Sequence, residues 1–345
     1  MPHSIKKPLL LFIIAARQPH SLIKSHLSVI WPMNMCFPPA LVQYRNTVTL
    51  VALLTLAGCT SQPSQQLVKD YAQQSIKVHH TVESVYVSAK QARVDAVLSR
   101  AVRDGLPASK LKITPIADTG QQQALADLVR YSQLLSALAT EDHNARIDQA
   151  SEQLHDTLSS LRDNPFVHDI KSVEDADIAI VSTGINALGR AMSDTTRHRQ
   201  LLAVMDAGQP VIQQTIARLR QDLPHWQMAT RVALDQALSI RMQLLNNPNR
   251  CQQRRETRCI TFHTSYDQRL KAYRHAYHTK QKLLGLNAYF ARLDRTLSDY
   301  VAMHNAIIDS LRLDNNASVQ SARRAIETTK HHLDALNDFQ QQLEE

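Results

Sequence analysis

Residues 283–311 read LLGLNAYFARLDRTLSDYVAMHNAIIDSL. Within them Leu283, Leu286, Phe290, Leu293, Leu297, Tyr300, His304, Ile307 and Leu311 recur every three or four positions, the spacing that lays one apolar stripe along an α-helix. Immediately upstream a second register, Tyr266, Leu270, Tyr273, Tyr277 and Leu284, meets the first at Leu283-Leu284-Gly285. Together they predict one helix over about 263–311 with a slip of register at that junction. At 1.5 Å per residue such a helix is ~75 Å long, against a globular mean of about 11 to 12 residues. A stripe of that length asks for long neighbours, packed as in a coiled coil.

The flanking sequence supplies them. Ser64 follows Pro63 as an N-cap, and Leu67, Tyr71, Ser75, Val78, Val82, Val85, Ala89, Ala92 and Ala96 form a first stripe that Gly105 and Pro107 end. Its outer positions are small, so a neighbouring backbone can approach closely there. A second helix over 119–162 carries Leu125, Leu128, Leu135, Leu138, Ile147, Leu154, Leu158 and Leu161, with Glu141-Asp142-His143-Asn144 as its candidate interruption. A third opens at Ser172 with acids in its first turn and carries Ile178, Val181, Ile185, Leu188 and Met192, with Gly184 and Gly189 marking a close crossing. Residues 206–210, Asp-Ala-Gly-Gln-Pro, read as helix stop and restart, with Gly208 past the end and Pro210 in the next first turn. A hairpin is expected there. The fourth helix then carries Ile212, Ile216, Leu219, Leu223 and Trp226, bends at Pro224 and ends at Asn246-Asn247-Pro248. After Asp314 a sixth carries Ala322, Ile326, Leu333, Leu336 and Leu343.

The fold class that follows is all-α: an elongated antiparallel bundle of about six long, coiled-coil-like helices with no sheet. Scarce glycines and aromatics agree, since a sheet would want the β-branched and aromatic residues that strands favour. No Gly-, Ser- or Pro-rich linker divides the chain, so 65–345 is expected to be a single domain.

Upstream of that domain lies a different kind of segment. Arg45 precedes an apolar run from Val48 to Leu56, which ends in small residues directly before a cysteine, Leu56-Ala57-Gly58-Cys59. The run is about half of the ~20 residues a membrane span requires, and a polar stretch, Thr60-Ser61-Gln62-Pro63-Ser64, follows the cysteine at once. This arrangement resembles the signal of bacterial lipoproteins, in which a four-residue lipobox ends in a cysteine that is acylated and becomes the new N-terminus. The resemblance implies a signal and upstream extension over 1–58, lipidation at Cys59 and a lipidated tether over 59–64. A second apolar patch, 9–16, does not fit a single signal, and a start at Met33 or Met35 would leave 26 or 24 residues before Cys59. By the same class resemblance, Thr60 is not the Asp that retains lipoproteins in the inner membrane, so an outer-membrane, periplasm-facing location is expected.

Removing the signal changes the charge argument. The chain's formal net charge of +8 comes from 39 basic and 31 acidic residues, but residues 1–58 hold five of the basic ones and no Asp or Glu. The remainder carries 34 against 31, a net of +3. That is no global basic field, and nucleic-acid binding is not expected.

Cys251 and Cys259, eight positions apart in the connection between the fourth and fifth helices, are expected to form a structural disulfide in an oxidising envelope. They lack the Cys-x-x-Cys spacing of a redox pair. Arg250, Arg254, Arg255 and Arg258 crowd the same connection. If the helices alternate direction from the anchor, that connection lies beside the membrane, where guanidinium groups would meet lipid phosphates. Histidines occur one turn from an acid or another histidine at Glu152/His155 and His275/His278, and side by side at His79-His80 and His331-His332. A di-iron bundle needs two Glu-x-x-His segments, and Glu152–His155 is the sole one; no metal site is assigned, and His304 reads as a core histidine. Tyr266, Tyr273, Tyr277, Tyr289 and Tyr300 could line a ligand surface or belong to the core. No Gly-rich phosphate loop, Gly-x-Ser-x-Gly elbow or His-Glu-x-x-His occurs. The expectation is a non-enzymatic, lipid-anchored envelope scaffold or interaction protein. Its partners would be the membrane, through the anchor, and other envelope proteins, with no cofactor, nucleic acid or small-molecule substrate. The competing reading is a periplasmic ligand- or metal-binding bundle.

Overall fold

Among the described residues, the three-four stripes of the sequence become six helices. In the computed structural model, which describes residues 63–140, 144–167, 194–247, 249–251 and 259–344, α1 is Pro63–Asp104, α2 Thr119–Thr140, α3 Asn144–Asp163, α4 Asp194–Asn246, α5 Tyr266–Leu313 and α6 Asn316–Glu344. A single 3-10 turn, Ala108–Lys110, follows α1. The chain is all-α, with one amendment to the sheet-free expectation. β1, Asn249–Cys251, and β2, Cys259–Thr261, pair antiparallel in the α4–α5 connection and form no layer of the core. All of this lies within the compact unit Thr60–Glu345. The lipobox and signal, the third helix opening at Ser172 with its two glycines, and Arg254, Arg255 and Arg258 lie outside the described residues. Among the described residues, no helix is long and apolar enough to cross a membrane.

Helix ends follow local chemistry. α1 stops where Gly105 takes φ 63°, the left-handed conformation, and the Leu106 N–H reaches the Ala101 carbonyl at 2.9 Å. α5 starts at Ser265, whose hydroxyl accepts from the Gln268 N–H, while the Gln268 side chain accepts from the Thr264 N–H. It ends at Asp314 in the left-handed region.

Two expectations about reversals are corrected. Residues 119–162 form two antiparallel helices rather than one: Ser160 donates to Asp127 at 2.7 Å and the Asn164 amide donates to the Gly120 carbonyl at 2.9 Å. Both arms turn their leucines to the same core, so one continuous apolar period fits a hairpin as well as a rod. Conversely, the hairpin expected at 206–210 does not form, because α4 runs unbroken through Gly208, Pro210 and Pro224. Leu201, Val204, Gly208, Ile212, Thr215 and Leu219 are all buried at three-four spacing across the supposed turn. Pro210 sits on the exposed side, where the hydrogen bond it removes from Asp206 faces water.

Cross-chain contacts order the helices by height. Ser64 and Gln65 lie beside His198 and Asp194, and Arg312 beside Asp206, so α1 and α4 start, and α5 ends, at one end of the bundle. Higher up, Arg100 reaches Gln236, so α1 and α4 run parallel. Sequence neighbours α1/α2, α2/α3, α4/α5 and α5/α6 are antiparallel. From His198 to Asn246, α4 climbs ~70 Å at 1.5 Å per residue.

The core is the expected stripe set. Every member of the α1 stripe from Leu67 to Ala96 is buried, as are the α2, α3 and α4 stripes and the α5 positions from Leu286 to Leu311. On α6, Ala322, Leu333 and Leu336 are buried and Ile326 packs partly buried against them. Where α1 becomes small, Ala92 and Ala96 meet Ala233 and Ala237 of α4 in their own apolar cluster. On α5 there is no slip of register. The buried seam continues upward from Leu286 through Thr279 and Ala276, while the Tyr266 register lies on a separate face with Tyr266, Tyr273, Tyr277 and Leu284 exposed.

Candidate functional site

Three features of the bundle have chemistry beyond apolar packing. The first is a sealed polar cluster in the lower half. Tyr71, Ser75 and His79 of α1, Tyr131 and Ser132 of α2, and Tyr300 and His304 of α5 are all within rounding of zero exposure. Tyr71 and Tyr300 share a hydroxyl hydrogen bond at 2.9 Å, and Tyr131 and His304 Nε2 share one at 3.2 Å. Ser132 donates to the Leu128 carbonyl at 2.9 Å, which leaves its oxygen to accept from Ser75 at 2.7 Å. Ser75 in turn accepts from His79 Nε2 at 3.3 Å, an arrangement that assigns the proton to Nε2. The rings complete the packing, with His79 edge-on to Tyr300 at 4.9 Å and His304 edge-on to Tyr71 at 5.5 Å.

Burial sets the protonation of this cluster. Desolvation, with the neighbouring His80 adding to it, lowers His79 to about 3, and desolvation alone lowers His304 to about 3. Both are neutral at physiological pH. Burial likewise raises Tyr71, Tyr131 and Tyr300 above the ordinary phenol value. Among the described residues, Nδ1 of each histidine lacks a hydrogen-bond partner. His304 is thus a core histidine, as its place on the α5 stripe implied, with one nitrogen of two engaged. Tyr131 was not singled out by the sequence and His79 was noted only for its pairing with His80, although each falls one turn from an apolar stripe position.

The second feature is a pair of open clefts flanking the alanine crossing of α1 and α4. One, of about 460 Å³, has Trp226, Ala89 and Ala233 in its lining with Arg93, Arg100 and His225 among its polar groups. The other, of about 390 Å³, lies between α1, α4 and α5 and includes Leu286, Tyr289, Phe290, Asp95 and Lys282. Small residues let the backbones approach but leave volume on both sides.

The third is the far end. Register pairs Cys251 with Cys259 across the β1–β2 ribbon. Residues opposite each other in an antiparallel pair have Cα atoms about 4.5 to 5.5 Å apart, inside the usual disulfide window of about 4.4 to 6.8 Å. The backbone is therefore placed for the expected bond. Arg250 lies on β1, at the end of α4 most distant from Ser64, so this connection does not return to the end where α1 begins, as alternating helix directions had implied. Alternation failed because α1 and α4 run parallel.

The histidine pairs do not converge. His79 is buried and His80 exposed; His275 is exposed and His278 half-buried; Glu152 is exposed beside a half-buried His155. His332 binds Asp299 while His331 is exposed. Among the described residues, no three His, Cys, Asp or Glu side chains gather in a form that could hold a metal. Of the tyrosines on α5, Tyr289 and Tyr300 belong to the core. No protein-family model, curated protein or solved structure matches this chain.

Proposed function

We propose that this protein is a lipid-anchored, non-enzymatic scaffold of the bacterial cell envelope, held at its base through Cys59 and presenting its far end to other envelope proteins. The observation that carries the reading is the placement of the two ends. Pro63, four positions after Cys59 in sequence, begins α1 at the end where α4 starts and α5 finishes, and the cysteine ribbon closes the opposite end ~70 Å away by helical rise. From the cysteine onward, only the four residues Cys59 to Gln62 precede α1, and they span at most about 14 Å, so the base of the rod stays near any lipid surface that holds the cysteine. With Thr60 after the cysteine, the outer membrane is the proposed destination.

Metabolic labelling with palmitate tests this reading. The wild type should take the label and fractionate with outer membrane, while Cys59→Ser should accumulate as unlabelled precursor. Normal labelling of Cys59→Ser would reject the anchor, and inner-membrane fractionation of the wild type would reject the sorting. The competing reading, a ligand-binding bundle, draws on the clefts of about 460 and 390 Å³ beside the alanine crossing. Native mass spectrometry separates the two, since a stoichiometric small molecule or metal on the purified protein would favour the binder.

A further inference from the structure

The upper part of α5 has two faces, and the fold uses one of them. Ala276 and Thr279 turn to α4, where Arg241 donates to the Thr279 hydroxyl at 2.8 Å. The other face carries Tyr266, Leu270, Tyr273, Tyr277, Lys280 and Leu284, spaced four, three, four, three and four. At 100° per residue these six fall within an arc of roughly 80° and run ~27 Å along the helix. The alternation of three and four is that of an a/d coiled-coil seam, with one lysine in it. Inside a bundle such a seam is covered. Here Tyr266 is 77% exposed, Tyr277 60% and Leu284 68%.

Charge decides what kind of surface would cover it. From Gln268 to Leu293 the sequence has no Asp or Glu. In the upper part of that span Arg269, Lys271, Arg274 and Lys280 are exposed, and Arg269 and Arg274 border the seam on opposite sides. Among the described residues, basic–acidic pairs such as Lys90 with Asp118 and Arg220 with Asp294 lie elsewhere. A second copy docked through the same face would set these cations against each other, which disfavours self-pairing. A helix with its own apolar seam and acidic flanks would meet both the aromatic stripe and the charge.

We propose that this face of α5 is a docking seam for an acidic amphipathic helix of a partner protein. The proposal deepens the scaffold reading by naming the partner's chemistry, and it rests on that reading only for where the partner resides. The tyrosines supply broad apolar contact at low entropic cost, Leu270 and Leu284 fill two further knob positions, and Arg269, Arg274 and Lys280 select against basic or neutral helices.

The test uses the Thr60–Glu345 protein and a fluorescein-labelled peptide of heptad pattern with Leu at a and d and Glu at e and g, followed by anisotropy. Saturable binding is expected. Replacing Arg269, Arg274 and Lys280 together by Glu should weaken it by about tenfold or more, as should Tyr273→Ala with Tyr277→Ala, a tenfold loss being about 1.4 kcal/mol. All five positions are exposed, and unchanged circular dichroism and melting would show the variants folded. A peptide with Gln at e and g should bind at least about tenfold more weakly. No binding by the parent, equal binding by the Gln peptide, or unchanged binding by either variant would overturn the proposal. So would concentration-dependent dimerisation abolished by Tyr273→Ala, or sedimentation with phosphatidylglycerol vesicles that the acidic peptide does not compete away. In cells, a photoreactive residue at position 273 of the full chain should crosslink to a segment that mass spectrometry reads as acidic and heptad-patterned; an adduct to phospholipid or to a second copy would refute the assignment. None of these readouts depends on acylation at Cys59, so failure of the anchor leaves them interpretable.

Discussion

Gly208 shows how one residue can send opposite signals. Followed by Gln209-Pro210 it reads as a helix stop, yet it sits inside α4, with the Tyr131 ring against its backbone. A Cβ there would lie 3.1 Å from the Tyr131 hydroxyl oxygen and 3.4 Å from Leu158 Cδ2. Tyr131 is hydrogen-bonded to His304 and fully buried, so it has little room to yield. Gly208→Ala therefore gains ~1 kcal/mol of helix propensity but incurs ~1 to 3 kcal/mol of overpacking, and should lower stability in urea unfolding. A rise in stability would mean that Tyr131 moves freely. The histidines next to this contact predict acid sensitivity. Unfolded His79 and His304 protonate near pH 6.5 and their folded forms only near 3, so between those values the unfolded chain binds more protons. The full contribution is present above pH 6.5 and is lost as pH falls below it. From neutral pH to pH 5 the two cost roughly 4 kcal/mol together, at about 1.4 kcal/mol per pH unit each. His304→Gln should flatten the pH dependence of unfolding by about half between pH 6 and 4; an unchanged slope would place the acid sensitivity elsewhere.

Among the elements, the β1–β2 ribbon is the local device that ends α4 and starts α5. With Cys251 opposite Cys259, a disulfide would close a short loop and stabilise the fold by roughly 2 to 3 kcal/mol on the chain-entropy model. Because the ribbon is outside the core, replacing both cysteines by serine should preserve the helical circular dichroism and lower the melting temperature by a few degrees. Two titratable thiols in protein purified from the envelope would remove the bond. α5 is the element that the sequence described most fully and placed least completely. Both of its stripes were visible, but the upper one was joined to the core through a slip at Leu283-Leu284-Gly285. The helix instead keeps one buried seam by using Ala276 and Thr279, residues too small to register as apolar signals. That choice leaves the tyrosines outside.

The arrangement of the whole molecule follows from which helices are parallel. With α1 and α4 both rising from the base, Asn246 lies far above Gln66, ~70 Å by helical rise. Single-molecule energy transfer between dyes at these two exposed positions should be correspondingly low. High efficiency would bring both dyes to one end and restore the hairpin at 206–210. Charge is segregated along the same axis. The Thr60–Glu345 unit has only a small basic excess, yet the acid-free stretch of α5 and the arginine-bearing ribbon lie together in its upper part. A net charge near zero therefore says little about what the far end of the rod meets.

Helicity, most of the described helix ends and the buried apolar stripes are legible in the sequence. Those properties depend on spacing, capping and composition within a few turns: the spacing alone gives the whole α1 stripe from Leu67 to Ala96, every member of which is buried. Tertiary structure decided direction. A three-four period is the same whether its residues form one helix or two antiparallel ones, as in Thr119–Thr140 and Asn144–Asp163, and survives when a turn signal is overridden, as at Gly208 and Pro210. Whether the chain reverses depends on the packing opposite it, on Tyr131 against Gly208 and on Ala92 and Ala96 against Ala233 and Ala237. The sealed tyrosine–histidine cluster has the same origin. Its hydrogen bonds join residues up to 229 positions apart, and no local pattern contains them.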